Sequence, residues 1–217
     1  MARAVPDVSA AGCLVTPASP AAAFHRRNLL TYTSLASGVA AMAVAGHAIA
    51  PAAGALMALA VLADTFDGRY ARRFQASTAT REIGAELDSL ADAVSFAAAP
   101  VLCLALLSPP APGWVALAWW TAAAIYIACG ITRLAFFNVC SEKAAGFVGV
   151  PVPVAALIWS TALIAPPSPL STAGLFVGCA IAMVVPLHLP RPAGFGLAVF
   201  ACWPIGLMAI HALTLFH

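Results

Sequence analysis

The sequence predicts an all-α, polytopic transmembrane helix bundle, and three observations carry that expectation. Of its 217 residues, 63% are hydrophobic and only 8% charged, whereas soluble domains are near a quarter charged. Seven apolar runs reach or approach the about 17–20 residues a helix needs to cross a bilayer. The ten Lys and Arg residues fall either in the N-terminal stretch or at alternate connections between those runs.

Taken in order, the first stretch is MARAVPDVSAAGCLVTPASPAAAF. Pro6, Asp7, Pro17 and Pro20 interrupt the continuous apolar region that a signal peptide requires. A flexible tail is expected over residues 1–24, followed by a single transmembrane domain over 25–217. The segment FHRRN suits the membrane interface, its arginines near anionic headgroups. The apolar runs are Asn28–Ala48, Pro51–Gly68, Glu82–Leu107, Trp114–Asn138, Val148–Ala165, Ser171–His188 and Ala193–Phe216. Breaks such as SPPAPG and APPSPLS separate them. Pro204 can split the last run, which would raise the count from seven spans to eight.

Charge position orients the bundle. Arg3, Arg26 and Arg27 precede the first run; Arg69, Arg72, Arg73 and Arg81 lie between the second and third. Arg133, near the end of the fourth run, and Lys143 flank the fourth connection, and Arg191 precedes the seventh run. The connections AGHAIAP, SPPAPG and APPSPLS carry no basic residue. The positive-inside rule then places the N-terminus in the cytosol and the C-terminus outside. The acidic residues share the cytosolic side, so the chemistry is expected to face the cytosol.

Composition also excludes. A net charge of +2 gives no footing for nucleic acid. The six cysteines form no CxxC pair and read as small hydrophobes, without a disulfide or zinc signal. The chain has no internal repeat and no paired broken helices, which counts against a secondary transporter. Abundant Ala and Gly suit close helix packing and also fit homodimerisation through small-residue faces.

Function is expected among the few polar residues inside the spans. In LADTFDGRYARR, Asp64 and Asp67 share one face of the second helix at about 100° per residue. Asp64, Gly68 and Arg72 form one stripe, with Asp67 and Ala71 beside it. In GAELDSLADAVSF, Gly84, Asp88 and Asp92 form a matching stripe on the third helix. Four carboxylates converging at low dielectric repel unless cations neutralise them. Hard divalent ions with oxygen ligands do this best, and a pair of them serves displacement at phosphorus. Arg72 offers a rigid donor fork suited to a diphosphate. Glu86 falls about 200° from Asp88 around the helix and is expected to pair with loop arginines instead. Buried carboxylates also mark ion paths, so a divalent-cation or proton-coupled transporter is the reading from another class.

These residues resemble the signature of the CDP-alcohol phosphotransferases, D-x-x-D-G-x-x-A-R followed by G-x-x-x-D-x-x-x-D. Here the fixed positions are Asp64, Asp67, Gly68, Ala71 and Arg72, then Gly84, Asp88 and Asp92. The eleven residues between Arg72 and Gly84 are more than the family usually has, which is expected to lengthen the loop. The resemblance implies a six-helix core and a site for two divalent ions, Mg²⁺ or Mn²⁺. It implies Asp64, Asp67 and Asp88 as ligands, with Asp92 as general base that also touches metal. Gly68, Ala71, Arg72 and Gly84 match positions lining the CDP pocket.

RRNLLTYTSLASG, LDSLADAVSFAAAP, FVGVPVPVAA and AMVVPLHLPRP are further similar to the membrane-embedded phosphatidylserine synthases. The implied activity is transfer of a phosphatidyl group from CDP-diacylglycerol to L-serine, releasing CMP. The alternatives within the family are glycerol-3-phosphate, inositol phosphate or inositol as acceptor. That group carries R-L-A-R-F-N where this chain has Arg133-Leu-Ala-Phe136-Phe-Asn138. Arg133 is the candidate for holding an anionic group of the acceptor, with Asn138 and Lys143 as weaker ones.

Overall fold

The computed structural model describes residues 21, 24–140, 147–189 and 194–216. Nearly all of the expected tail, together with Lys143, lies outside the described residues. The described residues form seven main helices: α1 Leu29–Gly46, α2 Ala50–Ala71, α3 Thr78–Leu107, α4 Trp114–Cys140, α5 Val152–Ala162, α6 Pro169–Val184 and α7 Phe195–Leu215. A 3-10 turn, Arg26–Asn28, leads into α1. Five helices are long and apolar enough to cross a membrane; α5 and α6 are shorter.

Local chemistry explains where the elements start and stop. Pro151 caps α5 and Pro153 lies in its first turn, because a missing N–H costs nothing there. Ser168 Oγ accepts from the Ser171 backbone N–H and starts α6 after APPSP. These boundaries leave α5 at 11 residues and α6 at 16, less than the apolar runs suggested. Pro204 sits inside α7 without ending it, so the last run is one helix, not two. The long connection between Arg72 and Gly84 is only partly loop: α3 begins at Thr78, behind a Ser77 cap whose Oγ accepts from the Thr80 N–H. The extra residues went into helix, reinforced by the Arg81 guanidinium donating twice to the Ala76 carbonyl.

Within α3, Ala93–Ala98 winds as a π-helix directly after Asp92. Such a segment misplaces a carbonyl from the regular ladder. Here Tyr126 of α4 donates its hydroxyl to the Phe96 carbonyl at 2.7 Å. On the other side Ser95 donates to the Ser34 carbonyl of α1. A side chain at Gly38 would collide with Ser95, so the glycine permits that close approach.

Helix α2 is central, packing on α1, α5 and α7, while α4 packs on α6. Trp119 and Tyr126 of α4, Trp159 of α5 and Phe176 of α6 form a buried aromatic cluster, with Trp159 and Phe176 centroids 4.4 Å apart. Near the opposite end of α2 from its aspartates, Ser160 donates to the Gly54 carbonyl and the His211 ring meets the Ser160 carbonyl at 2.9 Å. The ring occupies the notch that a glycine leaves at position 54. A two-residue antiparallel pair, Phe147–Val148 with His188–Leu189, ties the chain before α5 to the chain after α6.

Candidate active site

The last turns of α2 and the first half of α3 carry the signature residues, and carboxylates from the two helices converge. Asp64, Asp88 and Asp92 each bring one carboxylate oxygen within 4.8 Å of the others. Asp92 is buried at 8% exposure. The fourth aspartate is also tied to α1: Asp67 Oδ2 accepts from Thr31 Oγ1 at 3.0 Å. It remains an electrostatic neighbour of Asp64 and Asp88. Three carboxylates thus share one centre, and the fourth stands beside Asp88 and is anchored to α1. A donor set made only of carboxylates, largely removed from water, fits a hard divalent cation.

On its α4 flank the cluster opens into a cavity of about 530 Å³. Asp64, Asp88, Asp92 and Arg133 line it, with Ser89, Asn138 and Pro151. Arg133 is 7% exposed, lies over the Phe137 ring and sits in the field of Asp92. Ser89 donates to Asn138 Oδ1 at 2.9 Å and so ties α3 to α4 across the cavity wall. Phe136, where the sequence departs from the R-L-A-R-F-N pattern, is 52% exposed and does not line the cavity. Glu82 and Glu86 also line the cavity, and Glu86 has no ion pair with the loop arginines among the described residues. The expected pairing is therefore absent there, because α3 turns that edge toward the cavity mouth.

Backbone geometry sets the cavity roof. Gly149 has φ +73°, a conformation that disfavours a side chain, and a Cβ there would run into the Met183 carbonyl. The Gly149 and Val150 N–H groups donate to the Leu187 and Ala182 carbonyls. That stitching fixes Pro151 in the cavity wall.

Gly68, Ala71 and Arg72 close α2 and do not line the cavity; Arg72 is the exposed C-cap residue of that helix. Gly84 lies on the α1 flank, where a Cβ would stand 3.2 Å from Asn28 Oδ1. Sequence reasoning gave no role to Asn28 or Thr31. The available signal was the stripe Asn28, Thr31, Ser34 and Ser37, polar residues recurring every third position in an apolar run and all buried here.

A bundle of apolar helices with a carboxylate cluster at one end of two adjacent spans defines an integral membrane protein with a metal-type polar site. The chain belongs to the CDP-alcohol phosphatidyltransferase family, whose model matches residues 24–190. It is 33% identical over 170 residues to the archaetidylserine synthase of Methanothermobacter thermautotrophicus, covering 78% of this chain and 71% of that protein. It is 36% identical over 137 residues to the CDP-diacylglycerol–serine O-phosphatidyltransferase of Mycobacterium tuberculosis, covering 59% of this chain and 45% of that protein. The protein of the same description in Methanocaldococcus jannaschii is 38% identical over 103 residues, 48% of this chain and 46% of that one. The match thus spans less than half the length of the mycobacterial relative. Family membership sets aside the transporter reading that buried carboxylates raise.

Proposed function

We propose that residues 25–217 form one catalytic unit that transfers a phosphatidyl group from CDP-diacylglycerol to L-serine, releasing CMP. The observation that carries this is the Asp64, Asp88 and Asp92 cluster sharing a cavity with buried Arg133. The activities for which the relatives are named support serine as acceptor. The exposed side chain of Phe136 supports it too, because the one departure from the serine-type pattern falls off the cavity wall.

In this reading Asp64, Asp67, Asp88 and Asp92 hold two divalent ions, Mg²⁺ or Mn²⁺. When bound, such ions offset the charge of the diphosphate. Gly68, Ala71, Arg72 and Gly84 receive the CDP moiety on the α1 side of the cluster. Arg133 holds the acceptor carboxylate on the α4 side. Asp92 lies between, beside Arg133, and takes the proton from the serine hydroxyl. The serine oxygen bonds to the β-phosphorus, the anhydride bond to the α-phosphate breaks, and CMP leaves. The site faces the cytosol, with the N-terminus on the same side, following the basic connections. The small-residue helix faces also suit a homodimer.

Purified protein supplied with CDP-diacylglycerol, Mg²⁺ or Mn²⁺ and labelled serine is expected to release CMP and label the lipid. Absence of CMP release with serine, glycerol-3-phosphate, inositol phosphate and inositol alike sinks the transferase reading. Turnover with one of the other alcohols alone keeps the transferase and removes serine.

A further inference from the structure

On the α1 flank of the carboxylate cluster, two neighbouring side chains bury hydrogen-bond donors that no described residue receives. Arg27 Nε and Nη1 and Asn28 Nδ2 have no partner among the described residues. Asn28 is 3% exposed. A buried donor left unmade costs about 1–3 kcal/mol, and more when it is charged. Two adjacent ones are tolerated where a bound group completes them.

Their surroundings say what that group is. Asn28 Oδ1 and Arg27 Nε lie 3.2 and 3.9 Å from the space a Gly84 side chain would fill. One turn along α1, Thr31 holds Asp67. The donors therefore sit on the seam between a signature glycine and a signature aspartate, next to where a cation would bring negative oxygens. A guanidinium fork beside an amide N–H₂ matches phosphate oxygens. Arg26 and Arg27 also part company. Arg26 is exposed and lies 5.1 Å over the Phe74 ring, whereas Arg27 turns inward. His25 fixes the turn by accepting from the Arg27 backbone N–H at 3.1 Å.

We propose that Arg27 and Asn28 form a phosphate-oxygen subsite for the diphosphate of the nucleotide substrate, opposite the Arg133 cavity. This rests on the transferase reading above. An anionic lipid headgroup offers the same oxygens, and the inward turn of Arg27 favours the nucleotide.

Calorimetric titration of the detergent-solubilised full chain with CDP and Mn²⁺ tests it, with inorganic pyrophosphate and Mn²⁺ in parallel. Arg27→Gln and Asn28→Asp are each expected to weaken CDP binding at least tenfold, while Arg27→Lys stays within about threefold of the parent. Asn28→Asp keeps the shape and removes the donor, and a thermal unfolding midpoint shows that each variant is folded. CDP affinity unchanged in folded Arg27→Gln and Asn28→Asp overturns the subsite. So does intact CDP affinity combined with a lost response to phosphatidylglycerol in nanodiscs, which assigns the donors to a headgroup. Pyrophosphate binding lost in Arg27→Gln, in a parent that ignores CDP, keeps the phosphate subsite and sinks the transferase reading. A parent that binds neither probe overturns both.

Discussion

Asp92 differs from its neighbours in what surrounds it. It is buried, it ends the regular part of α3, and it has Arg133 on one side and Asp64 and Asp88 on the other. A carboxylate so placed can take a proton from a hydroxyl that Arg133 orients, and positioned general bases contribute roughly 10²–10⁴-fold. Asp92→Asn keeps the shape and removes the basicity. CMP release is expected to fall by about that factor, with a thermal midpoint near the parent's. A variant with more than a tenth of the parent turnover removes Asp92 from the proton step. At this scale the spacing of three and four residues fixes which aspartates share a helix face. It could not show that Asp67 turns to Thr31, because that depends on how α1 crosses α2, and crossing angles are not written in one helix's spacing. The inward face of α1 was visible as a polar stripe, but its use depends on Gly84 arriving from another helix.

Among the elements, α3 is the one whose geometry the function leans on. Its π-helical segment begins one residue after Asp92 and ends at Ala98. Removing the Tyr126 hydroxyl leaves the Phe96 carbonyl without that donor in a buried setting. Tyr126→Phe is expected to cost about 1–3 kcal/mol of stability. Because the segment adjoins Asp92, turnover should fall as well, while serine KM changes little. Unfolding in detergent and steady-state kinetics read the two effects; an unchanged midpoint shows that the hydroxyl does not hold the segment. Helix existence was legible from apolar run length, and helix ends were less so. The α5 and α6 runs include Pro- and Ser-rich flanks that are apolar enough to count but cannot continue a helix. Pro204 is able to split the last run, yet α7 carries it in place, as helices in lipid do when neighbours satisfy the freed carbonyl. The π segment has no sequence signature, since AVSFAA would wind equally well as ordinary helix.

At the scale of the whole molecule, polarity is divided between the two ends of α2. Asp64 and Asp67 sit near one end and the Gly54, Ser160 and His211 knot near the other, with the span from Gly54 to Asp64 covering ~15 Å at helical rise. The knot contains no carboxylate, whereas Arg72, Arg73 and Arg81 lie at the aspartate end. Those residues are exposed in the α2–α3 connection and α3's first turn, and the connection between α3 and α4 carries no charge. Basic residues resist translocation, so the orientation proposed above puts the arginine-bearing end in the cytosol. A cysteine placed at Arg73 in intact cells should therefore be shielded from a membrane-impermeant maleimide and become reactive once the membrane is opened. A cysteine at Gly113, in the opposite connection, should react in both conditions. Among the described residues, the native cysteines other than Cys202 are buried or half-buried, and the parent chain measures the background of all native cysteines. Labelling of the Arg73 position in sealed cells would reverse the orientation and place the carboxylates out of reach of a cytosolic nucleotide.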